Sequence, residues 1–124
     1  MISTISVGNY PLGVSVDPVT NMIYVTNAKD DTVSVINGNT DQVISTVNVG
    51  KWPDAVAVNP VTNMVYVSND VSCNISAING NTNQIVSTVN VGVGPTSLSI
   101  DPMKNMIYVA NGVSNSISVI NGNP

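Results

Sequence analysis

The sequence predicts an all-β fold built from three copies of one four-stranded unit, and three observations carry that prediction. The first is composition. Val, Ile, Thr and Tyr, which suit strands, alternate with Asn, Gly, Pro and Asp, which suit turns. The second is period: Gly13-Val-Ser-Val-Asp-Pro returns as Ala55-Val-Ala-Val-Asn-Pro and again as Ser97-Leu-Ser-Ile-Asp-Pro, each step being 42 residues. The third is punctuation, because Pro18, Pro60 and Pro102 recur at one place in the period and Gly38, Gly80 and Gly122 at another. Between windows 13–49 and 55–91, 22 of 37 positions are identical, so the copies should fold alike. No stretch repeats apolar residues at the 3.6 spacing of a helix.

Each copy reads as four strands. In the first, strand A is Gly13 to Asp17, and Pro18 to Asn21 form a turn. Strand B is Met22 to Thr26, followed by a loop from Asn27 to Asp31. Strand C is Thr32 to Ile36, and Asn37-Gly38 is expected to make a tight hairpin, since both residues tolerate positive φ. Strand D is Gln42 to Asn48, and residues 49–54 lead into the next copy.

Strand B is apolar on both faces, with Met22 and Tyr24 on one side and Ile23 and Val25 on the other. An exposed antiparallel meander would keep one face polar, so these strands should be covered twice. Strand A sets a branched row (Val14, Val16) against a small row (Gly13, Ser15), repeated as Ala55/Ala57 and Ser97/Ser99, which suits crowding near a central axis. Thr46 and Asn48 share one side of strand D, as expected of an outer strand partly in water. Four antiparallel strands per ~40–45 residues is the blade of a β-propeller. A β-helix coil is far shorter, and helical solenoids need amphipathic helices.

The organisation that follows is one three-blade unit over residues 1–124. Met1–Gly8 aligns with Val43–Gly50, so residues 1–7 are expected to be an outer strand. Blade 1 is 13–48, blade 2 is 55–90, and blade 3 is 97–124 without its outer strand. Three blades are too few to close a ring. The spare and missing strands are complementary, which predicts a homodimer closing head to tail as a six-bladed ring, with strand exchange at the termini. A nine-bladed trimer and a piece of a longer array are the alternatives.

Composition narrows function. The net charge is −4, and three lysines (Lys29, Lys51, Lys104) face seven aspartates, so no basic stripe exists for nucleic acid. No apolar run reaches the ~20 residues that span a bilayer, and residues 1–20 do not read as a signal peptide. Cys73 is the single cysteine, so no internal disulfide forms. With no His, Glu or Arg, acid–base chemistry would fall to aspartates and lysines, and no Ser or Cys has a His to activate it. The chain is expected to be no enzyme, with no cofactor and no metal.

Candidate binding residues follow from strand direction, which puts the D–A and B–C loops on one face. There the copies differ most. The D–A loops carry Tyr10, then Lys51, Trp52 and Asp54; the B–C loops carry Lys29, Asp30 and Asp31, then Asp70. Loops on a rigid scaffold are the usual place for binding, while drift at positions that need only be soluble gives the same variation. Tyr10 and Trp52 are equivalent, with Gly94 as the third, and such rings either pack between blades or stack on a sugar. Asp30, Asp31 and Asp70 read as a solvated acidic loop, with a hard cation as the sharper alternative. Cys73 reads as an incidental thiol, and Asn74-Ile-Ser76 is the lone N-glycosylation triplet. The other face repeats Pro-Val-Thr-Asn and Asn-Gly-Asn-Thr, residues that turns alone explain.

Ile23-Tyr-Val-Thr-Asn27, echoed by Val65-Tyr-Val-Ser-Asn69 and Ile107-Tyr-Val-Ala-Asn111, together with Thr32-Val-Ser-Val-Ile-Asn-Gly, resembles the YVTN-family β-propeller repeat along essentially the whole chain. The resemblance implies a propeller of archaeal surface-layer or bacterial secreted and cell-surface proteins, with about seven blades in one chain. The implied role is a non-catalytic scaffold or interaction module, outside the cell or at its surface. Its expected partners are a second copy of the chain and either a glycan or a surface protein. Related propellers include a lyase acting through histidine and a metal, and this His-free chain has no residue onto which that activity maps.

Overall fold

The computed structural model describes residues 1–123, so Pro124, the last residue expected in blade 3, lies outside the described residues. Among the described residues, eleven strands form three separate antiparallel sheets. The first contains β1 (Pro11–Asp17), β2 (Met22–Asn27), β3 (Thr32–Asn37) and β4 (Gln42–Asn48), hydrogen-bonded in chain order. The second repeats this with β5 (Pro53–Asn59), β6 (Met64–Asn69), β7 (Asn74–Asn79) and β8 (Gln84–Asn90). The third has three strands, β9 (Pro95–Asp101), β10 (Met106–Asn111) and β11 (Ser116–Asn121). These are propeller-like blades.

Strands begin and end close to where composition places them, with one instructive exception. β1 starts at Pro11 rather than Gly13, because Pro11 pairs with Asn27 across a bulge that absorbs one residue. Proline is tolerated at that first position because its missing N–H is not needed by the ladder.

The turns differ from the tight hairpin expected at Asn37-Gly38. Neither residue has positive φ; the left-handed residue is Asp41, at φ 57°. The connection is a four-residue loop in which Asp41 N–H donates to Asn37 O at 2.8 Å. The same loop joins strands A and B, where Asn21 (φ 59°) donates to Asp17 O at 2.8 Å. Gly38 is required for another reason: its N–H donates to Asn21 O, and a Cβ there would sit 2.5 Å from that oxygen. Two neighbouring turns meet at glycine because only glycine lets the backbones touch.

Packing between blades follows from the pleat. Antiparallel partners share a face, so Tyr24, paired with Val35 and Ser15, looks forward toward blade 2. It is fully buried with Val33, Val35 and Val47 against Val65, Val67 and Ile78. The next junction repeats the arrangement, with Tyr66, Ile75 and Ala77 against Ile107 and Val109. The double coverage expected of strand B is complete in β6, whose blade has a neighbour on each side, whereas Tyr108 of β10 is left open. Inner strands approach so closely that a Cβ on Gly13 would collide with the backbone carbonyl of Asp54 in blade 2. The small row on strand A is a consequence of that approach.

One junction carries a mismatch. Between blades 2 and 3, Asn59 Nδ2 donates to Asn105 Oδ1 at 2.9 Å. At the equivalent place between blades 1 and 2 stands Asp17, fully buried, with Oδ2 unpartnered, and Asn63 Oδ1 is unpartnered too. Asp17 Oδ1 is engaged, accepting from Val19 N–H at 2.9 Å. Asp17→Asn removes a buried charge and supplies the missing donor, so it should stabilise by about 1 kcal/mol. Thermal unfolding of the variant checks this, and a lower midpoint than wild type counts against it.

The two ends of the stack are unlike. At the forward end Tyr108 is 40% exposed, where its equivalents Tyr24 and Tyr66 are 0% and 5%, and Ile117 and Val119 are open to solvent. At the rear, Val14 and Val16 are exposed at 70% and 52%. Residues 1–7 lie on that rear face without pairing to any strand. Gly8 N–H donates to Asn27 Oδ1 at 3.1 Å, and Ser3 Oγ donates to Asp41 Oδ2 at 3.3 Å. Gly8 sits against Asn27 as Gly50 sits against Asn69 and Gly92 against Asn111, so the segment lies where an outer strand of a preceding blade would lie.

Candidate functional site

The loop face is built by hydrogen bonds that tie each D–A loop to its own B–C loop. Ala28 N–H donates to Tyr10 O at 3.0 Å, Asp70 N–H to Trp52 O at 2.9 Å, and Gly112 N–H to Gly94 O at 2.8 Å. The two loop types therefore share one face, as strand direction requires.

Behind this face lies an interaction that composition did not single out. The asparagine closing each Tyr-Val-x-Asn run is buried at the end of strand B. Asn69 Nδ2 donates to Asn74 Oδ1 and to Ser76 Oγ, each at 2.9 Å, joining strands B and C. Asn27 bridges to Thr32 and Ser34, and Asn111 to Ser116 and Ser118, in the same way. Its recurrence at the strand end in all three copies is the signal that points to it. Asn74 of the glycosylation triplet thus spends its side-chain oxygen inside the fold, and Ser76 is buried.

Of the candidate binding residues, three come together. The Tyr10 and Trp52 rings lie with centroids 5.5 Å apart at 40°, and Lys29 Nζ stands 5.0 Å from the Tyr10 ring centroid. Tyr10 is half exposed. Both aromatics adopt left-handed backbone, φ 60° and 58°, at the position where blade 3 has Gly94 at φ 72°. For residues other than glycine this costs roughly 1–2 kcal/mol each. Asp31, Cys73 and Asn115 form a second left-handed column, and Asn and Gly in these columns are the sequence signal for it.

The remaining candidates serve the loops themselves. Asp30 accepts from the Asn9 backbone N–H at 2.8 Å and from its side-chain amide at 2.7 Å, and these bonds hold its carboxyl below the usual range. Asp31 accepts from Trp52 N–H at 3.0 Å. Lys51 stays exposed, its N–H donating to Ser72 Oγ at 2.7 Å. Asp54 turns inward and accepts from Ser68 Oγ; burial pushes its carboxyl up, against hydrogen bonds from Ser68 and Ala55, with the charge of Asp70 adding to the rise. Asp70 is only partly exposed. The acidic residues are thus dispersed, and among the described residues no three Asp or Cys side chains gather as metal ligands would.

Residues 9–122 match the YNCE-like beta-propeller family over nearly the whole chain. The chain belongs to this family. Among solved structures it is similar to the Kuenenia stuttgartiensis Hydrazine Synthase, at TM-score 0.87 and 27% identity, over 95% of this chain and 34% of that one. Among curated proteins, 36 residues are 64% identical to the PE-PGRS family protein PE_PGRS18 of Mycobacterium tuberculosis (strain ATCC 25618 / H37Rv), covering 29% of this chain and 8% of that protein. The chain thus spans a third of the one relative and a small fraction of the other. Among the described residues no helix is long and apolar enough to cross a membrane.

Proposed function

We propose that the chain is a non-catalytic propeller scaffold of a cell-surface or secreted protein, of the YVTN surface-layer type, and that two copies close head to tail into a six-bladed ring. The observation that carries this reading is the match between the unlike end faces. The exposed forward row of Tyr108, Ile117 and Val119 repeats Tyr24, Val33 and Val35, and the exposed rear residues Val14 and Val16 repeat Val56 and Val58, which pack on that row. Each bare face is half of a contact that the chain already makes twice within itself, and a second copy supplies the other half at both ends. Residues 1–7 of each copy then pair beside β11 of the other, so the third blade gains an outer strand.

Surface location is supported by a sequence rich in Asn, Ser and Thr and only 8% charged, and the non-catalytic role by the absence of His and Glu. The first test is solution mass. Sedimentation should give twice 12.9 kDa, and deletion of residues 1–7 should reduce it. A strictly monomeric wild-type chain overturns the ring.

A further inference from the structure

We infer that Tyr10 and Trp52 form a binding shelf for a neutral sugar on the loop face, a role beyond that of the scaffold. Backbone conformation is the first argument. A bulky side chain at left-handed φ is unfavourable, and blade 3 shows that glycine satisfies the same loop without it. Two of three copies nonetheless hold large amphipathic aromatics there, so the loop carries these rings at a cost in backbone strain.

Placement is the second argument. The rings come from loops 42 residues apart in sequence, yet meet at 5.5 Å across the junction of blades 1 and 2. Tyr10 keeps half its surface open. A pyranose has one apolar face of C–H groups, which stacks on such rings, and a rim of hydroxyls. The rim finds donors and acceptors of both signs: the exposed Lys29 ammonium over the Tyr10 ring, and the Asn9–Asp30 pair, whose carboxylate is held ionised by its hydrogen bonds. Lys29 and Lys51 stand among Asp30 and Asp31 in these loops, so no single sign of charge favours a strongly anionic or cationic ligand.

Trp52 is the sole tryptophan, so its emission reports on the shelf directly. The wild-type chain should bind on a glycan array, and titration with neutral disaccharides (cellobiose, chitobiose and mannobiose) should shift Trp52 fluorescence saturably for at least one. Tyr10→Gly, which installs the residue that blade 3 uses, should weaken that binding about tenfold or more without lowering the unfolding midpoint. Tyr10→Phe, which keeps the ring, should retain most of it. No saccharide response in the wild type overturns the proposal. So does binding undiminished in Tyr10→Gly, or a Tyr10→Gly chain that unfolds well below wild type, which would make the ring pair a clamp between blades. The fluorescence arm is read whether or not the chain dimerises, so the shelf and the ring can fail separately.

Discussion

Tyr24→Ala should lower the free energy of unfolding by about 3–5 kcal/mol, the cost of emptying a fully buried aromatic site. The ring lies among Val33, Val35, Val65 and Val67, residues of two sheets, so little else can move to fill the space. Its hydroxyl has no hydrogen-bond partner among the described residues, and burial, with the charge of Asp17, pushes its ionisation upward. Tyr24→Phe should therefore be neutral or slightly stabilising, which separates the loss of volume from the loss of a hydroxyl. Urea unfolding midpoints, read with unchanged m-values, measure both variants. The informative control is Tyr108→Ala, the same residue on the same strand of blade 3. In a lone chain, where Tyr108 is 40% exposed, the loss should be about 1 kcal/mol or less. In a closed ring its cost should approach that of Tyr24, with a shift toward monomer.

These equivalent tyrosines also show what the sequence could and could not reveal. Repeat length, strand order and the sharing of faces were legible because period and alternation are properties of one chain. That strand B is covered on both sides was legible from Tyr24 and Val25 standing next to each other. The reason for Gly38 was not, because it depends on the carbonyl of Asn21, 17 positions away, approaching within van der Waals distance. Left-handed backbone at Tyr10, Trp52 and Cys73 was hidden for a related reason: aromatic and thiol side chains carry no expectation of positive φ. Only the column they share with Gly94 or with Asp31 and Asn115 betrays it. At the candidate site the sequence placed eight residues on one face. It could not tell that Asp31 and Asp54 accept from Trp52 and Ser68, leaving the aromatic pair, Lys29 and the exposed Asn9–Asp30 pair as the open feature.

Asn69→Asp, a change of one side-chain group, should destabilise the fold by roughly 3–5 kcal/mol at neutral pH, as an uncompensated buried charge does. The amide nitrogen donates two hydrogen bonds, to Asn74 Oδ1 and Ser76 Oγ, and the residue is fully buried beneath Gly50. An ionised carboxylate donates nothing. Ser76 can rotate its hydroxyl and Asn74 can turn its amide to donate instead, so the main cost is burial of the charge itself. Burial raises the carboxyl's folded-state pKa above its unfolded value of about 3.9. A raised pKa means that the folded state prefers the proton, so the variant loses stability as pH rises through the folded-state pKa and regains it on acidification. The deficit relative to wild type should therefore be greatest at neutral pH and shrink toward pH ~4. Asn69→Ala, which removes the donors without adding charge, should cost about 1–3 kcal/mol with no such pH dependence. Chemical unfolding of both variants across this range decides the matter. A pH-independent deficit for Asn69→Asp, equal to that of Asn69→Ala, would mean that the strand-end asparagine fills space rather than bridging strands B and C.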